Sequence, residues 1–322
     1  MIQTYELIKA ADIAVLQCMG LQSDETALVV VDPPQRELGL LLAESCRSAG
    51  AETIFIEMNQ RGNHGEEPPP AVAAAMLKVD VILLPTSKSL SHTEARRRAS
   101  DAGARVASMP MITTGVMART MVADYQVIEE RNQRLFELLA GGQQARLTSA
   151  AGTDLTFSIA GRPFHLDGGL NTKPGDFANL PAGELYCAPM EGTAEGVIIV
   201  DGSMAAIGLL NEPLQLTVKK GLVTEISGGE EAEQLEAIIA PYGRAARNIA
   251  ELGIGTNDRA IITGNILEDE KVLGTCHIAI GDNSTFGGTV SVASHLDGIL
   301  RNPNLEIDGK LLLEKGIPQG WL

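Results

Sequence analysis

The chain has 322 residues, 44% apolar and 3% aromatic, with a formal net charge of −16 and a pI near 4.7. That is enough aliphatic chain for one large domain or two ordinary ones, and it excludes a disordered protein. The acidic balance leaves no basic footprint for a nucleic-acid groove, the local Arg96-Arg97-Arg98 cluster notwithstanding. No run of about eighteen apolar residues is present to span a bilayer.

The first residues, M-I-Q-T-Y-E-L-I-K-A, lack the basic start and apolar stretch of a signal peptide. Cys18, Cys46, Cys187 and Cys276 are scattered, with no C-x-x-C pair. They read as reduced thiols of a cytoplasmic protein.

From residue 27 the chain alternates short apolar strands with helices. Strands are expected at Ala27–Val31, Glu52–Met58, Val79–Leu84 and from Arg105 to Ser108. Helices are expected at Glu37–Ala49, Ala71–Lys78 and Thr93–Ala102, with Gly50 and Gly103 as stops. Fully apolar strands between helices are the pattern of a parallel sheet covered on both faces, so this half reads as an α/β Rossmann-like domain. No G-x-G-x-x-G follows the first strand, and a dinucleotide is not indicated.

A helix over Tyr125–Ala140 ends at Gly141-Gly142, where the domain boundary is placed: 1–142 and 143–322. Beyond it the pattern becomes α+β. Leu147–Ile159 reads as two strands around Gly152. Further strands are expected at 196–200, 214–218, 222–226, 260–263, 275–280 and 289–295, and helices at 231–240 and 245–252.

Near the end of the chain, His295 and Asp297 lie two apart on a strand-like segment. Their side chains therefore project to one face. His277 lies upstream in T-C-H-I-A-I-G, and Glu251 in N-I-A-E-L-G-I-G can join them. Imidazole and carboxylate are the donors for zinc, manganese, cobalt or ferrous iron. A lone His-x-Asp is also an ordinary hydrogen-bonded pair. What favours a metal is that two of only five histidines fall in Gly-rich apolar strands, where an unbonded polar group is costly. Alternation turns Cys276 to the opposite face, into the core.

Other polar residues read more plainly. Glu184, between Pro181 and Pro189, and Glu191 suit solvated loops. His64 and His165 read as exposed or loop histidines. No G-x-S-x-G, H-E-x-x-H or P-loop is present.

Several segments in order carry a family resemblance: S-H-T-E-A-R-R-R-A (91–99), G-T-D-L-T-F-S-I (152–159), N-L-P-A-G-E-L-Y (179–186), Glu-Leu-Gly at 251, H-I-A-I-G from His277 and H-L-D from His295. The chain resembles the aminopeptidase T-like metallo-aminopeptidases over most of its length. The resemblance implies a two-ion site of zinc, cobalt or manganese held by Glu184, Glu251, His277, His295 and Asp297, with Glu251 bridging. It implies a metal-activated water that removes N-terminal residues from small peptides or amides, a proton carried by Glu184 or Glu191, and a homodimer. The aminopeptidases carry a tyrosine seven residues after the first histidine; here Ser284 takes that catalytic position, and the segment between the histidines is short. The same superfamily includes the 2,5-dihydroxypyridine dioxygenases, which open an aromatic ring with one Fe(II). For that chemistry His277, His295 and Asp297 would supply the two-His-one-carboxylate face. Hydrolase is the first expectation and dioxygenase the second, both with small-molecule or short-peptide substrates and neither with nucleic acid or membrane partners.

Overall fold

A computed structural model describes residues 2–322. Along the chain run α1 (Ile2–Asp12), β1 (Thr26–Val31), α2 (Arg36–Ser48), β2 (Glu52–Glu57), α3 (Pro70–Met76), β3 (Val81–Leu84), α4 (Glu94–Asp101), β4 (Arg105–Ser108), α5 (Thr114–Thr120) and α6 (Tyr125–Leu139). Then follow β5 (Gln144–Thr148), β6 (Asp154–Ser158), β7 (Phe164–Asp167), β8 (Phe177–Asn179), β9 (Glu184–Cys187), β10 (Glu195–Val200), β11 (Ser203–Met204), β12 (Gly208–Leu209), β13 (Leu214–Lys219), β14 (Leu222–Ser227) and α7 (Gly229–Ile239). The chain closes with β15 (Ile249–Gly255), α8 (Ile266–Asp269), β16 (Cys276–Gly281), β17 (His295–Leu300), β18 (Asn304–Ile307), β19 (Lys310–Glu314) and β20 (Ile317–Pro318).

Internal contacts divide the chain into two units. One comprises the residues up to Glu129 with Asp167–Ala182; the other comprises Glu130–Leu166 with Gly183–Leu322. The first holds a five-stranded parallel sheet, ordered β2-β1-β3-β4-β8. Leu28, Val30, Ile82, Leu84 and Val106 pack into one core with Val72, Met76, Ala95 and Ala99 from α3 and α4. Thr93 caps α4 by accepting the Arg96 N–H. The expected α/β alternation is therefore present.

The second unit holds an eight-stranded sheet, β14-β13-β10-β6-β5-β18-β19-β20, and a seven-stranded sheet, β12-β11-β17-β16-β15-β9-β7. One core includes side chains of both: Leu147, Leu155, Ile198 and Leu216 from the first, Leu185, Leu252, Ile278 and Leu296 from the second. Leu235 and Ile239 of α7 join it.

Three sequence expectations fail here for local reasons. Ala245–Leu252 is not a helix. A 3₁₀ stretch with Gly243 at φ 63° ends at Arg247, and Glu251 lies on β15, buried between β16 and β9. Residues 260–263 form no strand, because Ile261 and Thr263 donate their N–H groups to the Glu268 and Asp269 carboxylates. Only His295 of 289–295 is in a strand. The preceding segment is a loop whose N–H groups at Thr289, Val290 and Val292 go to the side chains of Glu191, Asn283 and Asp282. Side-chain acceptors thus replace a neighbouring strand in both places.

All four cysteines are free and buried, and burial raises each thiol pKa. No helix among the described residues is long and apolar enough to cross a membrane.

Candidate metal centre

Strands β9, β15, β16 and β17 build the centre from their registers. Glu251 pairs with Ala279 and Ala279 with Asp297; Tyr186 pairs with Gly253 and Gly253 with His277; Glu184 pairs with Gly255, and Gly281 with His295. Directly paired residues point to the same face of a sheet, and so do residues two apart along a strand. One face therefore carries Glu184, Tyr186, Glu251, His277, His295 and Asp297, with Gly253, Gly255, Ala279 and Gly281 between them. The opposite face carries Leu185, Cys187, Leu252, Ile254, Cys276, Ile278, Ile280 and Leu296, all in the core. The strands fold because one face is apolar, and the small residues leave the other face room for polar side chains to converge.

Gly253 shows how tight that room is. A Cβ there would lie 1.9 Å from His277 Nε2 and 2.1 Å from its Cε1. The imidazole lies flat across the glycine, so no other residue fits at 253 without moving the ring.

The donor atoms form two groups sharing Glu251: Glu184, Glu251 and His277, and Glu251, His295 and Asp297. Within each, the atoms all lie within 4.8 Å of one another. His277 Nε2 is 3.0 Å from Glu251 Oε1 and 3.4 Å from Glu184 Oε2. His295 Nε2 is 3.4 Å from both Glu251 Oε2 and Asp297 Oδ1. His295 Nδ1 faces the Asp282 carbonyl at 2.7 Å, where it donates and leaves Nε2 for the group. The His277 side chain is 1% exposed and that of His295 31%, so the second group has the open side.

Burial would lower the His277 pKa, but the Glu251 hydrogen bond and the nearby Glu184 and Asp297 charges overcome it and raise it to about 9. Burial likewise opposes the charged form of His295, yet Asp297 and Glu251 raise it to about 10. Burial pushes the Glu184 carboxyl up against the pull of Lys271. For Asp297 burial works upward too, but His295 holds its carboxyl below the usual range. The centre is thus a concentrated negative field that binds positive charge.

The five expected ligand residues are brought together, with a different grouping for the histidines. His277, His295 and Asp297 do not form one of the groups; Glu251 stands with His295 and Asp297 instead. The other two candidates lie elsewhere. Glu191 pairs with Arg162 and accepts from Asn283 Nδ2 and the Thr289 N–H, which holds its carboxyl below the usual range despite partial burial. Ser284 is exposed, and its hydroxyl and N–H both donate to Asp282. Sequence reading passed over Lys271 and took His165 for an exposed or loop histidine. Lys271, fully buried, donates to Glu184 Oε1 at 2.5 Å and to Glu270 Oε1 at 2.7 Å. His165, on β7 and half-buried, stacks on Tyr186 at 5.1 Å, and Phe286 stands edge-on to His165, Tyr186 and His295 at 6.3, 5.6 and 5.8 Å. Strand alternation in F-H-L-D was a signal for His165; Lys271, ending a run of three acids, had none.

Residues 7–319 match the family described as NicX, 2,5-dihydroxypyridine 5,6-dioxygenase. The chain belongs to this family. A 2,5-dihydroxypyridine 5,6-dioxygenase of Pseudomonas putida is 26% identical over 262 residues, 76% of this chain and 71% of the relative. Aminopeptidase T of Thermus aquaticus is 30% identical over 186 residues, 51% of this chain and 44% of the relative. Among solved structures, the 2,5-dihydroxypyridine dioxygenase of Pseudomonas putida superposes with a TM-score of 0.85 at 21% identity, covering 98% of this chain and 97% of that one. The Thermus thermophilus aminopeptidase gives 0.72 at 17%, covering 98% and 99%. The superfamily resemblance in the sequence is therefore correct. The chain is a metal-binding enzyme with the shared fold of both relatives, and the dioxygenase branch is the better match.

Proposed function

We propose that this protein is a ring-cleaving dioxygenase of the 2,5-dihydroxypyridine type, working with one Fe(II) held by Glu251, His295 and Asp297. The observation that carries the reading is the wall of rings at the open side of that donor group. Phe286 stands 5.8 Å from the His295 ring and continues into the His165–Tyr186 stack. Such a wall suits a planar heteroaromatic substrate better than a flexible peptide.

The donor set fits a divalent ion of this class. Hard oxygens and imidazole nitrogens suit iron or manganese. At that site two buried carboxylates, Glu251 and Asp297, face one imidazole nitrogen, a set that a cation completes. When bound, the ion supplies the redox and Lewis-acid chemistry that joins oxygen to the ring. The chain's residues do the rest. The Asp282 carbonyl fixes the His295 tautomer. Phe286 and the His165–Tyr186 stack orient a ring beside His295. The Glu191–Arg162 pair anchors the loop carrying Phe286, because Arg162 also donates to the Gly287 carbonyl.

A second reading, two-ion hydrolysis of N-terminal amides, draws on one observation: all five donors implied by the aminopeptidase resemblance are present, with Glu251 common to both groups. One experiment separates the two. Protein loaded anaerobically with Fe(II) is given 2,5-dihydroxypyridine and oxygen, and protein loaded with cobalt or zinc is given aminoacyl amides and dipeptides. Oxygen uptake with ring opening is expected. Amide cleavage without oxygen uptake would replace this reading with the hydrolase.

A further inference from the structure

We propose that Lys271 sets the ion count at one, its ammonium holding Glu184 Oε1 and putting a fixed positive charge beside the donors that a second ion would require. The inference rests on the one-ion reading above and gives it a structural cause. Glu184, Glu251 and His277 look like a second ion site. Yet Glu184 Oε1 is already held by Lys271 Nζ at 2.5 Å, and the same ammonium is 2.7 Å from Glu270 Oε1. Lys271 is 0% exposed, so this charge has no water to retreat into.

The backbone leaves the lysine little choice. Its N–H donates to the Glu268 carbonyl, and its carbonyl accepts the Asn257 N–H. Val272 bridges to Asn257 in parallel. At Gly255, beside Glu184 in the register, a Cβ would lie 2.0 Å from the Val272 carbonyl oxygen. This glycine lets the 271–272 backbone close onto β15. Glu184 is anchored in turn: Asn132 donates to its carbonyl and accepts from Thr256 Oγ1. Ammonium and carboxylate are thus both built in.

Charge argues the same way. Lys271 brings a fixed ammonium among the carboxyl groups of Glu184 and Glu270. A second divalent ion between Glu184 and His277 would lie beside this fixed ammonium, a like-charge contact that a low-dielectric site disfavours. A lysine does here what loss of a ligand would do elsewhere: the second set of donors stays, but with a buried ammonium on its Glu184.

The test counts ions rather than turnover. Wild type and Lys271→Met are loaded with Mn(II), exchanged into metal-free buffer and assayed by elemental analysis and electron paramagnetic resonance. Wild type should hold one ion with an isolated six-line signal; the variant should hold two, with the signal broadened by coupling. A Lys271→Met protein with native circular dichroism that still holds one ion overturns the proposal, as does a wild type holding two. Should the variant not fold, anomalous diffraction from Mn(II)-soaked wild-type crystals decides. A single peak at Glu251, His295 and Asp297, with Lys271 still on Glu184, upholds the proposal; a second peak between Glu184 and His277 defeats it. No substrate enters these measurements, so failure of ring cleavage and failure of the lysine role are told apart.

Discussion

In the five-stranded sheet, Val29, Val30, Ile82 and Leu83 are all fully buried, so both faces of its central strands are apolar. In the seven-stranded sheet one face is equally apolar, but the other gathers two imidazoles and three carboxylates. The first sheet is held by burial of apolar area. The second spends part of its buried surface on charges that repel one another unless a cation sits among them. Stability and function are therefore separable by region, and substitutions should show it.

The largest effect is expected at the shared carboxylate. Glu251→Ala removes a donor from both groups and should weaken metal binding at least about a hundredfold while the chain still folds, read by elemental analysis and circular dichroism. A fully loaded variant would break the contrast at its centre. Next is Ile82→Ala in the parallel sheet, expected to cost about 2–5 kcal/mol of stability in chemical denaturation. Metal content per folded chain should not change; if it fell, the two regions would be coupled. Gly253→Ala comes third. Its methyl displaces the His277 ring, with metal affinity lowered about 10- to 100-fold, measured by competition with a chelator. Phe286→Ala is the mildest. It should raise KM for a dihydroxypyridine about 3- to 10-fold through loss of ring contacts, with metal content unchanged. An equal change in metal content would move Phe286 from substrate binding to support of His295.

The same contrast explains what could be read in the sequence. Strands β1 to β4 lie within two residues of their expected places, because short apolar runs between glycine-stopped helices have one good solution. Strand β8 has only three residues, F-A-N, and no such signal. Within the centre, His277, His295 and Asp297 were legible because polar residues in Gly-rich apolar strands need a partner. Glu251 was found as a donor but assigned to a helix, since N-I-A-E-L fits a helical pattern until its pairing with β16 is known. Glu184 read as a loop residue from the sequence alone and entered through family resemblance. The ring wall joins residues 165, 186 and 286, and Lys271 meets Glu184 across 87 positions. Contacts at such separation come from sheet order, which no local window contains. Ser284 followed the position of a family tyrosine, but its hydroxyl goes to Asp282.

The partner of His295 Nδ1 is the carbonyl of Asp282, a main-chain atom, whereas the Asp282 carboxylate holds the Ser284 and Val292 N–H groups. One residue thus contributes two supports that answer to different kinds of change. Scanning side chains at 282 would register only the loop contacts, and the orientation of His295 would look as though nothing maintained it. Replacing the amide at the 282–283 link by an ester keeps every side chain, weakens that carbonyl as an acceptor and removes the Asn283 N–H bonded to the Val290 carbonyl, so the orientation of His295 itself is the readout that exposes the first support.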